Sequence, residues 1–119
     1  MSSTDYRRTY PISWEQLHRD SKALSWRLLD MSYFKGIIAI TRGGLVPAAV
    51  IARELDIRLV ETVCVSSYDW QDKHGEVEIL KKFEGDGEGW LLIDDLVDTG
   101  RTARVVKEMA PKAHFATIY

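Results

Sequence analysis

The sequence predicts an α/β domain with a mostly parallel central sheet flanked by helices, and three features predict it. Two apolar runs without alternation, Gly36-Ile37-Ile38-Ala39-Ile40 and Trp90-Leu91-Leu92-Ile93, suit strands buried on both faces. Each run leads into a polar loop and then a helical pattern, the order of a parallel strand–loop–helix unit. A long amphipathic stretch near the N-terminus supplies a further helix to cover the sheet.

Taken in order, residues 1–11 are polar and aperiodic and read as a loose arm. Ser13 is a good N-cap, and Trp14, Leu17, Ser21, Leu24 and Leu28 recur every third or fourth residue, which predicts a helix over about 14–29. His18 falls beside that stripe and reads as an ordinary helix residue, since no metal-ligand pattern surrounds it. Gly36 to Ile40 is the first strand; Thr41-Arg42-Gly43-Gly44 is its loop, and Val46 to about Leu55 the helix that follows. Arg58 to Ser67 reads as a second strand, rich in Val, Thr and Cys, and Val77 to Leu80 as a third. Between them Tyr68 to Glu76 has no periodicity and reads as a flexible hairpin loop. Phe83 to Gly89 alternates glycines with Glu84, Asp86 and Glu88 without the spacing of a calcium loop, so it reads as a tight turn. Trp90 to Ile93 is the central strand. Ala103, Val106 and Met109 mark one face of a short helix that Pro111 ends, and a last strand begins at His114.

The 119 residues leave room for one domain and not two. A net charge of −2 with 45% hydrophobic residues describes an ordinary globular chain and gives no basic surface for nucleic acid. Cys64 is the sole cysteine, which excludes an internal disulfide and a cysteine-rich zinc site; its apolar run predicts a buried thiol. The longest aliphatic run, Ile37 to Ile40, is far short of the roughly 20 residues of a membrane span. The expected location is the cytoplasm, or at most the inner face of the cell membrane.

The chemistry concentrates after the central strand. Asp94 and Asp95 end an apolar run, where a core has no use for them; at the carboxyl edge of an open sheet they would sit where ligands bind. Asp98-Thr99-Gly100-Arg101-Thr102 then adds two hydroxyls, a permissive glycine and backbone N–H groups at a helix start, an arrangement suited to phosphate. Read alone, such an Asp pair is also a solvated strand end, and the loop a turn and cap. The whole pattern, apolar strand, Asp-Asp, two apolar residues and Asp-Thr-Gly-x-Thr, closely resembles the phosphoribosyl pyrophosphate (PRPP) motif of the type I phosphoribosyltransferases. The likeness extends from Lys35 to Ile118 through Arg42-Gly43-Gly44-Leu45-Val46-Pro47, Thr62-Val63-Cys64, Ser66-Ser67-Tyr68-Asp69, Glu84 to Gly89 and Pro111 to Phe115. Within the family it is similar to the bacterial xanthine-guanine branch.

The resemblance implies the type I phosphoribosyltransferase fold, with the 68–76 loop as a mobile lid, and transfer of 5-phosphoribosyl from Mg²⁺-bound PRPP to N9 of guanine or xanthine, with hypoxanthine used less well, releasing pyrophosphate. It implies that Asp94 and Asp95 hold the ribose hydroxyls, with Asp95 the metal contact. Arg42, Gly43 and Lys82 would meet pyrophosphate, although similar enzymes carry Arg where this chain has Lys82. Leu96, Val97, Asp98, Thr99, Gly100, Arg101 and Thr102 would line the sugar-phosphate, and Asp98 would exchange a proton with purine N7 as the catalytic acid/base. A non-proline cis peptide would fall at Arg42–Gly43. The usual assembly is a homotetramer. Alternatives are a hypoxanthine-guanine phosphoribosyltransferase and a regulator that senses PRPP or a nucleotide without turnover; retention of Arg42, Asp94, Asp95 and Asp98 favours the enzyme. Similar enzymes continue past the strand begun at His114 into a segment with a base-reading Lys and an aromatic hood. With that hood absent, the expectation is of a chain that binds PRPP but holds purines poorly.

Overall fold

The computed structural model describes residues 12–31, 33–68, 76–96 and 100–119. The expected N-terminal arm and the tip of the expected lid, 69–75, lie outside them, as do Val97, Asp98 and Thr99. The elements are α1 (Trp14–Leu29), β1 (Gly36–Thr41), α2 (Leu45–Glu54), β2 (Val60–Tyr68), β3 (Glu76–Lys81), β4 (Trp90–Asp94), α3 (Arg101–Met109) and β5 (His114–Thr117). All eight were anticipated, with ends displaced by up to two residues.

The strands form one sheet in the order β3-β2-β1-β4-β5. The pairs β1–β2, β1–β4 and β4–β5 are parallel, and β3 runs antiparallel to β2. Chain order therefore reverses between β1 and β4, with β2 laid on one side of β1 and β4 on the other. Such a switch point opens a crevice at the carboxyl ends of the two strands, because their loops leave toward opposite sides.

The unbroken apolar runs are explained by coverage on both faces. Ile37 and Ala39 of β1, with Leu91 and Ile93 of β4, pack with Leu24 and Leu28 of α1 and Ala48 and Ile51 of α2. Ile38, Ile40 and Leu92 point the other way, toward Val106, Ala110 and Ala113. Successive residues of a strand face opposite sides, so a strand between two helical layers must be apolar at every position.

In α1 the Gln16 N–H donates to the Ser13 Oγ at 3.0 Å, the cap expected from sequence. The buried stripe is Ser21, Leu24, Ser25 and Leu28. Trp14 departs from the expected stripe: it is 74% exposed, because the first turns of α1 overhang the sheet edge. Cys64 is half-buried and not sealed in the core, since β2 and β3 change register between Cys64 and Val65. β1 ends opposite Cys64, so residues 65–68 of β2 and their β3 partners rise past the sheet as a two-stranded arm.

The non-proline cis peptide lies at Thr41–Arg42 and not at Arg42–Gly43. Past β1 the chain turns, with the Gly44 N–H donating to the Ile40 carbonyl at 2.7 Å and the Leu45 N–H to the Arg42 carbonyl at 3.1 Å.

Gly44 sits where this turn meets the neighbouring strand: a Cβ there would stand 2.3 Å from the Ile93 carbonyl oxygen and 2.9 Å from that of Ile40. Both obstacles are backbone, so the β1–β4 contact itself would have to move. Gly44→Ala should destabilise the fold by about 2 kcal/mol or more, read as a lowered urea midpoint; a midpoint equal to that of the parent would show that the two strand ends can separate without cost.

Candidate active site

The loop after β1 and the end of β4 meet at the switch point. A Cβ on Gly43 would lie 2.6 Å from Asp95 Oδ1 and 2.8 Å from Oδ2, so the carboxylate rests directly on the bare Cα of the glycine. Hydrogen bonds hold the acidic pair in place: the Asp95 N–H donates to Asp94 Oδ1 at 2.8 Å, and the Leu96 N–H to Asp95 Oδ1 at 2.7 Å. Continuing past β5, the Tyr119 N–H donates to the Asp95 carbonyl at 2.9 Å, which ties the far side of the loop to the sheet.

Burial pushes the Asp94 carboxyl up to about 7; the Asp95 carboxylate adds to the rise, and the Asp95 N–H opposes it. A half-buried acid pair of this kind gains from a cation or from hydroxyl donors. Among the described residues no group of three or more His, Cys, Asp or Glu could hold a metal ion. The paired carboxylates of Asp94 and Asp95 are hard oxygen donors, the kind that suits a hard cation whose shell is completed by water and ligand oxygens.

A cavity of about 350 Å³ opens beside the pair. Arg42, Gly43, Asp95 and Leu96 form its floor, and Trp14 and Leu17 of α1 form one wall. Further along the chain, the N-cap of α3 is Gly100, which takes φ 86° and offers no side-chain cap, with no acidic residue in the first turn. Those are the conditions under which the first N–H groups of a helix receive an anion. Thr102 is half-buried and Arg101 exposed in that turn.

Of the expected site residues, the structure brings together Arg42, Gly43, Asp95 and Leu96 around one cavity, with Asp94 joined to Asp95 and Gly100, Arg101 and Thr102 opening α3. Lys82 is exposed, one residue beyond β3 at the root of the arm, and is not among the described residues lining this cavity; its neighbour Lys81 donates to the Thr62 carbonyl at 2.7 Å. Val97, Asp98 and Thr99 fall outside the described residues. Sequence reading missed the part played by α1 and Tyr119, which line the same cavity. The one available signal was Trp14, a large apolar residue on a helical turn with no partner nearby in sequence.

The family model for the phosphoribosyl transferase domain matches residues 13–118. The chain belongs to the phosphoribosyltransferase family. It is 77% identical over 117 residues to a xanthine-guanine phosphoribosyltransferase of Desulfotalea psychrophila, covering 98% of this chain and 73% of that protein. A protein of the same name from Nitratidesulfovibrio vulgaris is 69% identical over 120 aligned residues, covering 100% of this chain and 74% of its own length. Among solved structures, the purine phosphoribosyltransferase of Pyrococcus horikoshii superposes with a TM-score of 0.72 at 29% identity, over 89% of this chain and 71% of that one. The sheet with its carboxyl-edge crevice is thus the type I phosphoribosyltransferase fold. No helix among the described residues is long and apolar enough to cross a membrane.

The Asp94 environment has a measurable consequence in the absence of divalent cations. From the ordinary value of 3.8 up to about 7, the folded state holds a proton that the unfolded chain has released, so this group costs stability as pH rises through that interval. Asp94→Asn, which cannot titrate, should therefore gain stability relative to the parent as pH is raised from about 4 to about 7, measured by urea denaturation. Parallel pH profiles for the two proteins would refute the burial effect.

Proposed function

We propose that this chain transfers the 5-phosphoribosyl group of PRPP to N9 of guanine or xanthine, with hypoxanthine a poorer acceptor, forming the nucleoside 5′-monophosphate and pyrophosphate in purine salvage. What carries this reading is the packing of the Asp95 carboxylate on Gly43 at the switch point, in a chain 77% identical to a xanthine-guanine phosphoribosyltransferase. A hypoxanthine-guanine enzyme and a non-catalytic sensor are less well supported, since the two relatives above share the xanthine-guanine name.

The reaction asks for position and charge balance more than covalent chemistry. As the sugar carbon loses pyrophosphate it becomes cationic, and the departing group carries its negative charge away. Asp94 and Asp95 accept hydrogen bonds from the two ribose hydroxyls and fix the ring. Arg42 and the Gly43 N–H face the pyrophosphate, and Lys82 at the root of the arm joins them as the 68–76 lid closes and excludes water. Leu96 and Val97 belong to the same PRPP-binding set. Thr99, Gly100, Arg101 and Thr102 receive the 5′-phosphate at the start of α3. Asp98 exchanges a proton with purine N7. Asp95 would hold Mg²⁺, which when bound offsets the charge of the pyrophosphate and sugar oxygens. The reading includes a homotetramer, supported by the exposed apolar side chains Trp26, Leu29, Met31 and Tyr33 at and just beyond the outer end of α1.

Two carboxylates repel a polyanion unless a cation lies between them, so PRPP binding should require Mg²⁺. In calorimetric titration the parent should bind PRPP with Mg²⁺ and lose that binding with chelator, and Asp95→Ala should bind weakly in both; equal affinity in the two buffers would sink the proposal. Asp98→Asn should lower kcat with guanine by roughly 10²–10⁴-fold while PRPP affinity changes little, if proton exchange at N7 is its task. Steady-state GMP formation checks this, and near-parental turnover would reduce Asp98 to a loop-forming residue.

A further inference from the structure

We propose that Tyr119 is a positioning residue for the pyrophosphate end of the site, acting through a hydrogen bond from its hydroxyl to Asp20 of α1. The hydroxyl donates to Asp20 Oδ2 at 2.6 Å, joining residues 99 apart in sequence. The Tyr119 N–H simultaneously donates to the Asp95 carbonyl at 2.9 Å, and the residue lines the cavity that holds Arg42, Gly43 and Asp95. One residue thus touches the carboxylate-bearing strand end through its backbone and the opposing helix through its side chain.

The helix needs that attachment at this end. The side chains of α1 that are buried in the core begin at Ser21. Before it, Ile12 is 42% and Trp14 74% exposed, and Leu17 is only half-buried, so the first turns overhang the cavity without an anchor in the core. Asp20 lies one turn beyond Leu17, where a bond to Tyr119 sets the distance between the helical wall and the floor. A charged acceptor makes this bond stronger than a neutral one would be. The α3 side of the site is not part of this cavity. The Tyr119–Asp20 bond should accordingly tune the grip on the pyrophosphate and leave the grip on the 5′-phosphate alone.

This inference rests on the PRPP reading of the site, and the experiment separates the two. Tyr119→Phe, Asp20→Ala, their combination and Asp20→Asn would be titrated calorimetrically with Mg²⁺–PRPP and with ribose 5-phosphate, which has no pyrophosphate. Tyr119→Phe and Asp20→Ala should each weaken Mg²⁺–PRPP by about three- to tenfold. The combination should be no worse than either single change, ribose 5-phosphate affinity should not move, and Asp20→Asn, whose amide oxygen still accepts, should stay near the parent. Unchanged PRPP affinity, or an equal loss for both ligands, would overturn the positioning role while the PRPP reading stands. A parent protein that fails to bind Mg²⁺–PRPP would overturn both.

Discussion

The close approach of the loop after β1 to the end of β4 is the contact on which the rest of the site depends. The Asp95 carboxylate lies on the Cα of Gly43, and Gly44 is wedged between the carbonyls of Ile93 and Ile40, with no room for a side chain at either position. Parallel pairing of Ile37 with Leu91 and Ala39 with Ile93 delivers both loops to the same edge at the same height. A loop that presents N–H groups and an arginine is thereby held against a loop that presents two carboxylates. Together they offer donors for phosphate oxygens and acceptors for sugar hydroxyls within one crevice.

That proximity carries an electrostatic cost that the fold manages locally. Asp94 is partly buried at the end of a strand whose preceding three residues are fully buried, and its carboxyl is harder to ionise as a result. The backbone N–H groups of Asp95 and Leu96 each turn onto the preceding carboxylate, which keeps the negative charges hydrogen-bonded while the site is open. An acidic pair so arranged favours a partner that brings positive charge or hydroxyl donors. At the other end, α3 starts from Gly100 with neither a side-chain cap nor an acid in its first turn.

The layers around the sheet divide the remaining labour. α1 and α2 cover one face and α3, with the segment after it, the other, which leaves the carboxyl edge clear. The paired residues of β2 and β3 continue past the end of β1, and Lys82 stands at the root of that arm. α1 contributes twice: its later turns fill the core through Leu24 and Leu28, and its first turns form a wall of the cavity. The exposure of Trp14, unfavourable for a helix seated wholly on a core, follows from that second role.

By itself, the sequence determined the local elements, because they depend on short-range chemistry: unbroken apolar runs make strands buried on both sides, Ser13 caps α1, and glycine-rich loops follow the strands. It also determined the family, since Asp-Asp followed by Asp-Thr-Gly-x-Thr is a dense pattern, and the match over residues 13–118 agrees. Only the tertiary structure decided what stands next to what. The register of β1 against β4 puts Gly43 beneath Asp95, across more than fifty positions of chain. The cis peptide falls at Thr41–Arg42, one residue before its expected place, and Cys64 is half-buried at a change of register. Tyr119 meets both Asp95 and Asp20, with no local pattern to announce it. Periodicity reports which face of an element is apolar, whereas contacts between loops depend on strand order and helix overhang, which arise when the layers pack and leave no trace in any one segment.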